Sequence, residues 1–111
     1  MEKVLVINSE SMGKGDEALG KRLIGAFLRK LWANPERPSA IIFYNSGVKL
    51  AAEGSEVLDA INGLYEAGVD LLACGTCVDY YGLRNKLVSV RISNMDEISS
   101  IMLRAEKLIT V

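Results

Sequence analysis

Histidine is missing from all 111 residues of this chain. That absence removes Ser-His-Asp and Cys-His catalysis, histidine-ligated metal sites and the usual proton shuttle at neutral pH. Neither sign of charge prevails, with 13 Lys and Arg against 14 Asp and Glu. No basic stripe therefore draws the chain to a phosphate backbone, and nucleic acid is not an expected partner. No apolar run reaches the length of a membrane span, so no membrane partner is expected, and "KVLVIN" begins the chain without the layout of a signal peptide. Cysteine is scarce as well. Cys74 and Cys77 are too few for a disulfide framework, and with half of the residues hydrophobic the chain can build a core without one. Two thiols three positions apart in such a chain point to a reducing compartment, expected to be the cytoplasm.

Short apolar runs alternate with segments of helical period. "KVLVIN" (3–8) is a β-branched strand. A glycine-rich turn then leads into a helix from about Glu17 to Trp32, with Asp16 as N-cap and Leu19, Leu23, Phe27 and Leu31 as the expected buried stripe. "AIIFY" (40–44) is too continuously apolar to have a wet face, as in a parallel sheet covered on both sides. Ser55 is placed to cap a helix running to about Ala67, which buries Val57, Leu58, Ile61 and Leu64 and ends at Gly68. "VDLLAC" (69–74) is a third strand and "VSVRI" (88–92) a fourth. Between them lies a short helix with Thr76 as N-cap. Asn94 and Glu97 have the spacing of a capping box and open a last helix that buries Ile98, Ile101, Met102 and Ala105; "KLITV" closes as a fifth strand. The alternation predicts one domain over residues 1–111. Its fold is an α/β three-layer α/β/α sandwich around a five-stranded parallel sheet.

Ligands of such sheets bind beyond the carboxyl ends of the strands. Both cysteines fall on that edge, and so do "FYNSGVKL" and Asn94. With Thr76 as cap, Cys77 would take the first helical position, where unpaired amides favour a thiolate; Lys49 or Arg84 would add to this and Asp79 would oppose it. The pair has three readings. A closed zinc site needs about four ligands, and this chain offers two, so no metal is expected unless subunits share one. A thioredoxin-type dithiol matches the spacing, but that fold places a proline after the motif, whereas Pro35 and Pro38 both precede it. A sulfur relay needs an exposed, activated thiol at a strand end, and both thiols are expected on the rim. Asn45, Ser46, Gly47, Lys49 and Asn94 are the candidate polar surround, able to hold an anion or to serve as plain turns and caps. The segment "GKGDEA" matches the loose G-x-G-x-x-G/A dinucleotide pattern. Asp16, however, would put a carboxylate where a pyrophosphate docks, and no acidic residue ends the second strand.

Five stretches in order, "INSESMGKGDEALG", "FYNSGVKL", "EGSEVL", "CGTCVDYYGL" and "ISNM", resemble the DsrE-like domain of YedF-type proteins, within the wider DsrE/TusD family. The likeness implies an α/β/α fold and a homo-oligomer, trimer or hexamer. It also implies a cysteine persulfide received from one carrier and passed to another, with no bound cofactor. The acceptor cysteine of the family follows the third strand, a place that Cys74 matches, with Gly82 eight residues on; Cys77 is the extra thiol of the C-G-T-C variant. Sulfur donors implied are a TusA-like carrier, often fused ahead of such domains, or a cysteine desulfurase. Two other readings stay beside this one: an oligomeric module that binds an anion or a protein tail, and a C-x-x-C redox switch.

Overall fold

A computed structural model describes residues 2–111. Five strands form a single sheet: β1 (Lys3–Ile7), β2 (Ala40–Phe43), β3 (Asp70–Cys74), β4 (Arg91–Ser93) and β5 (Lys107–Thr110). Their order is β4-β3-β2-β1-β5, and every pairing is parallel. Side chains alternate across the pleat, which divides the core into two layers. Leu5, Ile7, Ile41, Phe43, Leu71 and Ala73 face α1 (Glu17–Ala33) and α2 (Leu58–Glu66), which supply Ile24, Leu28, Ile61 and Leu64. Val4, Val6, Ala40, Ile42, Leu72 and Cys74 face Ile98 and Ile101 of α4 (Met95–Arg104). The short α3 (Gly75–Tyr80) joins β3 to β4. This is the expected α/β/α sandwich with a five-stranded parallel sheet.

The predicted caps at Asp16 and Asn94 form as expected: Asp16 Oδ2 accepts from the Leu19 amide and Asn94 Oδ1 from the Glu97 amide, each at 2.9 Å. The stripe assigned to α1 is displaced. Leu19 and Leu23 are exposed, Phe27 and Leu31 are half-buried, and the inner face is Gly20, Ile24, Gly25 and Leu28. Glycine there admits a neighbour where leucine would stand off: the glycine-rich loop closes on α1 through the Met12 amide and the Gly20 carbonyl at 3.0 Å. Ser55 does not cap α2. Its hydroxyl accepts from the Val57 amide in a turn, and the helix starts at Leu58. Gly63 lies under the Trp32 indole, which occupies the space a Cβ would need.

The loop after β2 is a 3-10 helix, Asn45–Ala51. The fourth strand is shorter and later than 88–92. Ser89 has φ 63°, which breaks the extended run, and the Val88 amide donates to Ala51 at the end of the 3-10 helix instead of to the sheet. No helix among the described residues is long and apolar enough to cross a membrane.

Candidate functional site

The carboxyl end of β3 delivers both thiols, and the pleat separates them. Cys74 continues the β3 alternation onto the α4 side and is 1% exposed. The expectation that both thiols reach the rim fails here, because the last strand residue still points into the core. Cys77, one helical turn later, is half-buried and reaches solvent. It borders a cavity of about 440 Å³ together with Tyr44, Asn45, Thr76, Tyr80, Tyr81 and Met95.

The start of α3 also differs from expectation. Cys74, not Thr76, occupies the N-cap, so Cys77 is the third helical residue and not the first. A helix of six residues has little dipole to offer, and the thiol is not activated. Burial pushes the Cys77 pKa up; the Asn45 amide on its sulfur opposes this, and the neighbouring Cys74 raises it further. Neither basic residue expected nearby is free. Arg84 makes two hydrogen bonds to the Asp79 carboxylate, at 2.7 and 2.9 Å, and holds it below the usual carboxylate range. Lys49 pairs with Glu10 at 3.4 Å and lies 4.4 Å above the Tyr81 ring.

Asn45 is the predicted residue that meets the thiol. Its φ of 52° lies in the left-handed region, where asparagine is tolerated better than most side chains. That conformation turns its N–H onto Cys77 Sγ at 3.1 Å. The Tyr81 hydroxyl donates to Asn45 Oδ1 at 3.2 Å and fixes the side chain. The other candidates are spent within the fold. Ser46 Oγ accepts from the Glu10 amide at 3.1 Å, and the Gly47 amide donates to the Tyr44 carbonyl at 3.1 Å. Gly47 itself rests against the Ile7 carbonyl with no room for a side chain. Asn94 caps α4 and does not border the Cys77 cavity. The Asn45 and Gly47 amides, the Ser46 hydroxyl and the Lys49 ammonium that "FYNSGVKL" offered to an anion therefore already have partners within the chain.

Tyr81 was missing from the sequence-derived site, although it stands four residues after Cys77 and so near the same face of the turn. It also forms one wall of a second cavity of about 430 Å³, which Glu10, Lys21 and Lys49 border and no thiol enters. Glu10 Oε2 lies there with Lys49 as ion-pair partner but at a geometry that makes no hydrogen bond. Among the described residues, no group of three or more Cys, Asp or Glu side chains is placed to hold a metal ion.

The sequence model described as the DsrE/DsrF-like family matches residues 2–111. No curated protein matches the sequence. Among solved structures, the chain is similar to the ychN protein from E. coli, with a TM-score of 0.68 and 18% identity over 100% of both chains. It is also similar to MTH1491 from Methanobacterium thermoautotrophicum, a protein of unknown function, with a TM-score of 0.73 and 21% identity over 99% of this chain and 98% of that one. BT1422 from Bacteroides thetaiotaomicron, likewise of unknown function, gives a TM-score of 0.68 and 14% identity over 99% and 95%. At these identities the likeness shows the fold.

Proposed function

This chain belongs to the DsrE/DsrF-like family, and on that premise we propose that it is a sulfur-relay protein whose loading thiol is Cys77. The observation that carries the reading is accessibility. Cys77 borders an open cavity, while Cys74 is 1% exposed. Family resemblance alone favours Cys74 as carrier; burial favours its neighbour.

In the transfer, the Cys77 thiolate attacks the outer sulfur of a donor's cysteine persulfide. The donor's S–S bond breaks, a new one forms at Cys77 Sγ, and the donor cysteine leaves as a thiolate that takes up the Cys77 proton. A thiol of ordinary pKa near 8.5 is only about 3% ionised at pH 7, and Cys77 is ionised less. The resting thiol is therefore quiet, and a donor that closes over the cavity with its own basic group would activate it. The Asn45 N–H stays on the inner sulfur throughout and stabilises whatever anion develops there.

Donors of the right chemistry are a TusA-like carrier or a cysteine desulfurase, and the cytoplasm is the compartment that keeps both thiols reduced. The narrower YedF-type likeness, a selenium cargo and a trimeric or hexameric assembly belong to the same proposal. To test it, reduced wild type, Cys74→Ser and Cys77→Ser are incubated with a cysteine desulfurase and cysteine and read by intact mass. One added sulfur on Cys74→Ser and none on Cys77→Ser is expected. No adduct on Cys74→Ser, under conditions that load a known carrier, would overturn the reading.

A further inference from the structure

Cys74 has no part in the loading step, yet it is the other free thiol of the same helical turn. The two cysteines hold the N-cap and third positions of α3. These are the positions whose side chains face each other across the first turn of a helix, the relation a capping residue exploits when it reaches the third amide. Cys74 makes no such capping bond. Cys77 packs instead against the buried cluster to which Cys74 belongs. Side chains three apart on a turn lie about 5–6 Å apart at Cβ or closer, near the range a disulfide closes with small adjustment. Both are free thiols here.

Burial decides what Cys74 can attack. At 1% exposure, among Val6, Ile42, Leu72 and Ile98, it is closed to a visiting protein. Only a sulfur that this chain itself carries comes within reach. Cys77 Sγ, on the same first turn, becomes the inner sulfur of the persulfide, while the added sulfur extends towards the cavity mouth.

We propose that Cys74 discharges the Cys77 persulfide, so that the chain is a persulfide-reducing couple as well as a carrier. This rests on the relay reading above and extends it. The Cys74 sulfur attacks Cys77 Sγ and forms the Cys74–Cys77 disulfide. The bond from Cys77 Sγ to the outer sulfur breaks, and that sulfur leaves as hydrosulfide, which takes the Cys74 proton to become hydrogen sulfide. The outer sulfur is reduced and the two cysteine sulfurs are oxidised, so no outside electron donor enters the step. A dithiol reductant then restores the pair. Sulfur is passed on when an acceptor thiol takes the outer atom first, and is released as sulfide when none arrives.

The test uses the whole chain, with inorganic tetrasulfide as the sulfur source. Reduced wild type and Cys74→Ser are loaded, freed of excess reagent and followed by intact mass, with released sulfide measured in parallel. Cys74→Ser should keep its added sulfur. Wild type should lose it at least about tenfold faster, as expected of an attack by a neighbouring group, release one sulfide per chain and end with neither thiol open to alkylation until a dithiol is added. Equal rates of loss, or a wild-type product with two free thiols, would overturn the discharge step while leaving the relay intact. Failure of Cys74→Ser to load at all overturns the relay reading, and the discharge with it. Mild oxidation of unloaded wild type should also give the intramolecular disulfide; a pair that stays reduced while a control dithiol in the same solution oxidises counts against the proximity on which the step depends.

Discussion

Replacing Gly47 by alanine places one methyl group against backbone that cannot move aside. The new Cβ would overlap the Ile7 carbonyl oxygen and lie 3.1 Å from the Ile7 carbonyl carbon and 3.3 Å from the Ser9 amide nitrogen. That same carbonyl accepts the Tyr44 amide at 3.1 Å, at the end of the β1–β2 ladder. Relief requires the 3-10 helix and β1 to separate by about 1 Å, and overpacking of this kind costs about 1–3 kcal/mol. Weakening the ladder bond adds about 0.5–1.5 kcal/mol. Against this, alanine restricts the unfolded chain more than glycine does, a gain of about 0.4–1 kcal/mol. Net destabilisation of about 0.5–4 kcal/mol remains, a fall in Tm of roughly 2–17 °C for a domain of this size. Urea and thermal unfolding by circular dichroism measure it, with Gly25→Ala as the control. Gly25 is also buried in the fold, but its Cβ would meet chiefly the far end of the long Arg29 side chain, at 3.2 Å, so that variant should match or exceed wild type. The shifted 3-10 helix should also carry the Asn45 amide away from Cys77. A Gly47→Ala chain as stable as Gly25→Ala would show that the close approach to β1 does not hold this loop in place.

Three further outcomes are expected. In the Cys74→Ser background, alkylation of Cys77 by iodoacetamide should keep rising about tenfold per pH unit through pH 8, because burial raises its pKa above the usual thiol range; a plateau below pH 8 would contradict that direction. Asn45→Val should be less stable than Asn45→Gly by about 1–2 kcal/mol in urea unfolding, since φ 52° suits glycine and not a β-branched residue, although both lose the Tyr81 partner. Glu97, held down to about 2 by Arg91 and then by Ser93, supports the fold once ionised. That support is complete above the unfolded carboxylate range near 4.3 and fades as pH falls towards 2. The pair is 45% and 38% exposed at its side chains, so the effect is about 0.5–1 kcal/mol after screening by water. Glu97→Gln should cost that much at pH 7 and converge with wild type near pH 2, as measured by urea titration at each pH.

Much of the architecture was readable in one dimension because it depends on local signals. Alternating apolar runs and helical periods set the five strands and their order of appearance, and Asp16 and Asn94 announced the starts of two helices through a bond only three residues long. Where the reading slipped, contacts distant in sequence were responsible. Leu19 and Leu23 have the right period, but glycine at 20 and 25 lets other segments approach the helix more closely on the adjoining face. Val88 looks like a strand residue, yet its amide is drawn to Ala51. At the site, "FYNSGVKL" advertised amides, hydroxyl and ammonium group for a ligand. No local signal shows that Glu10 and Cys77 arrive from elsewhere to occupy them.

The sequence by itself determined that this is a histidine-free α/β chain whose only two thiols stand at the end of the third strand. Which thiol meets the solvent was decided by tertiary structure. The pleat sends Cys74 beneath α4, the following turn carries Cys77 out to the cavity, and the left-handed Asn45, from a neighbouring strand end, brings its amide to the sulfur. Burial and a contact spanning 32 residues exist only once the sheet has assembled.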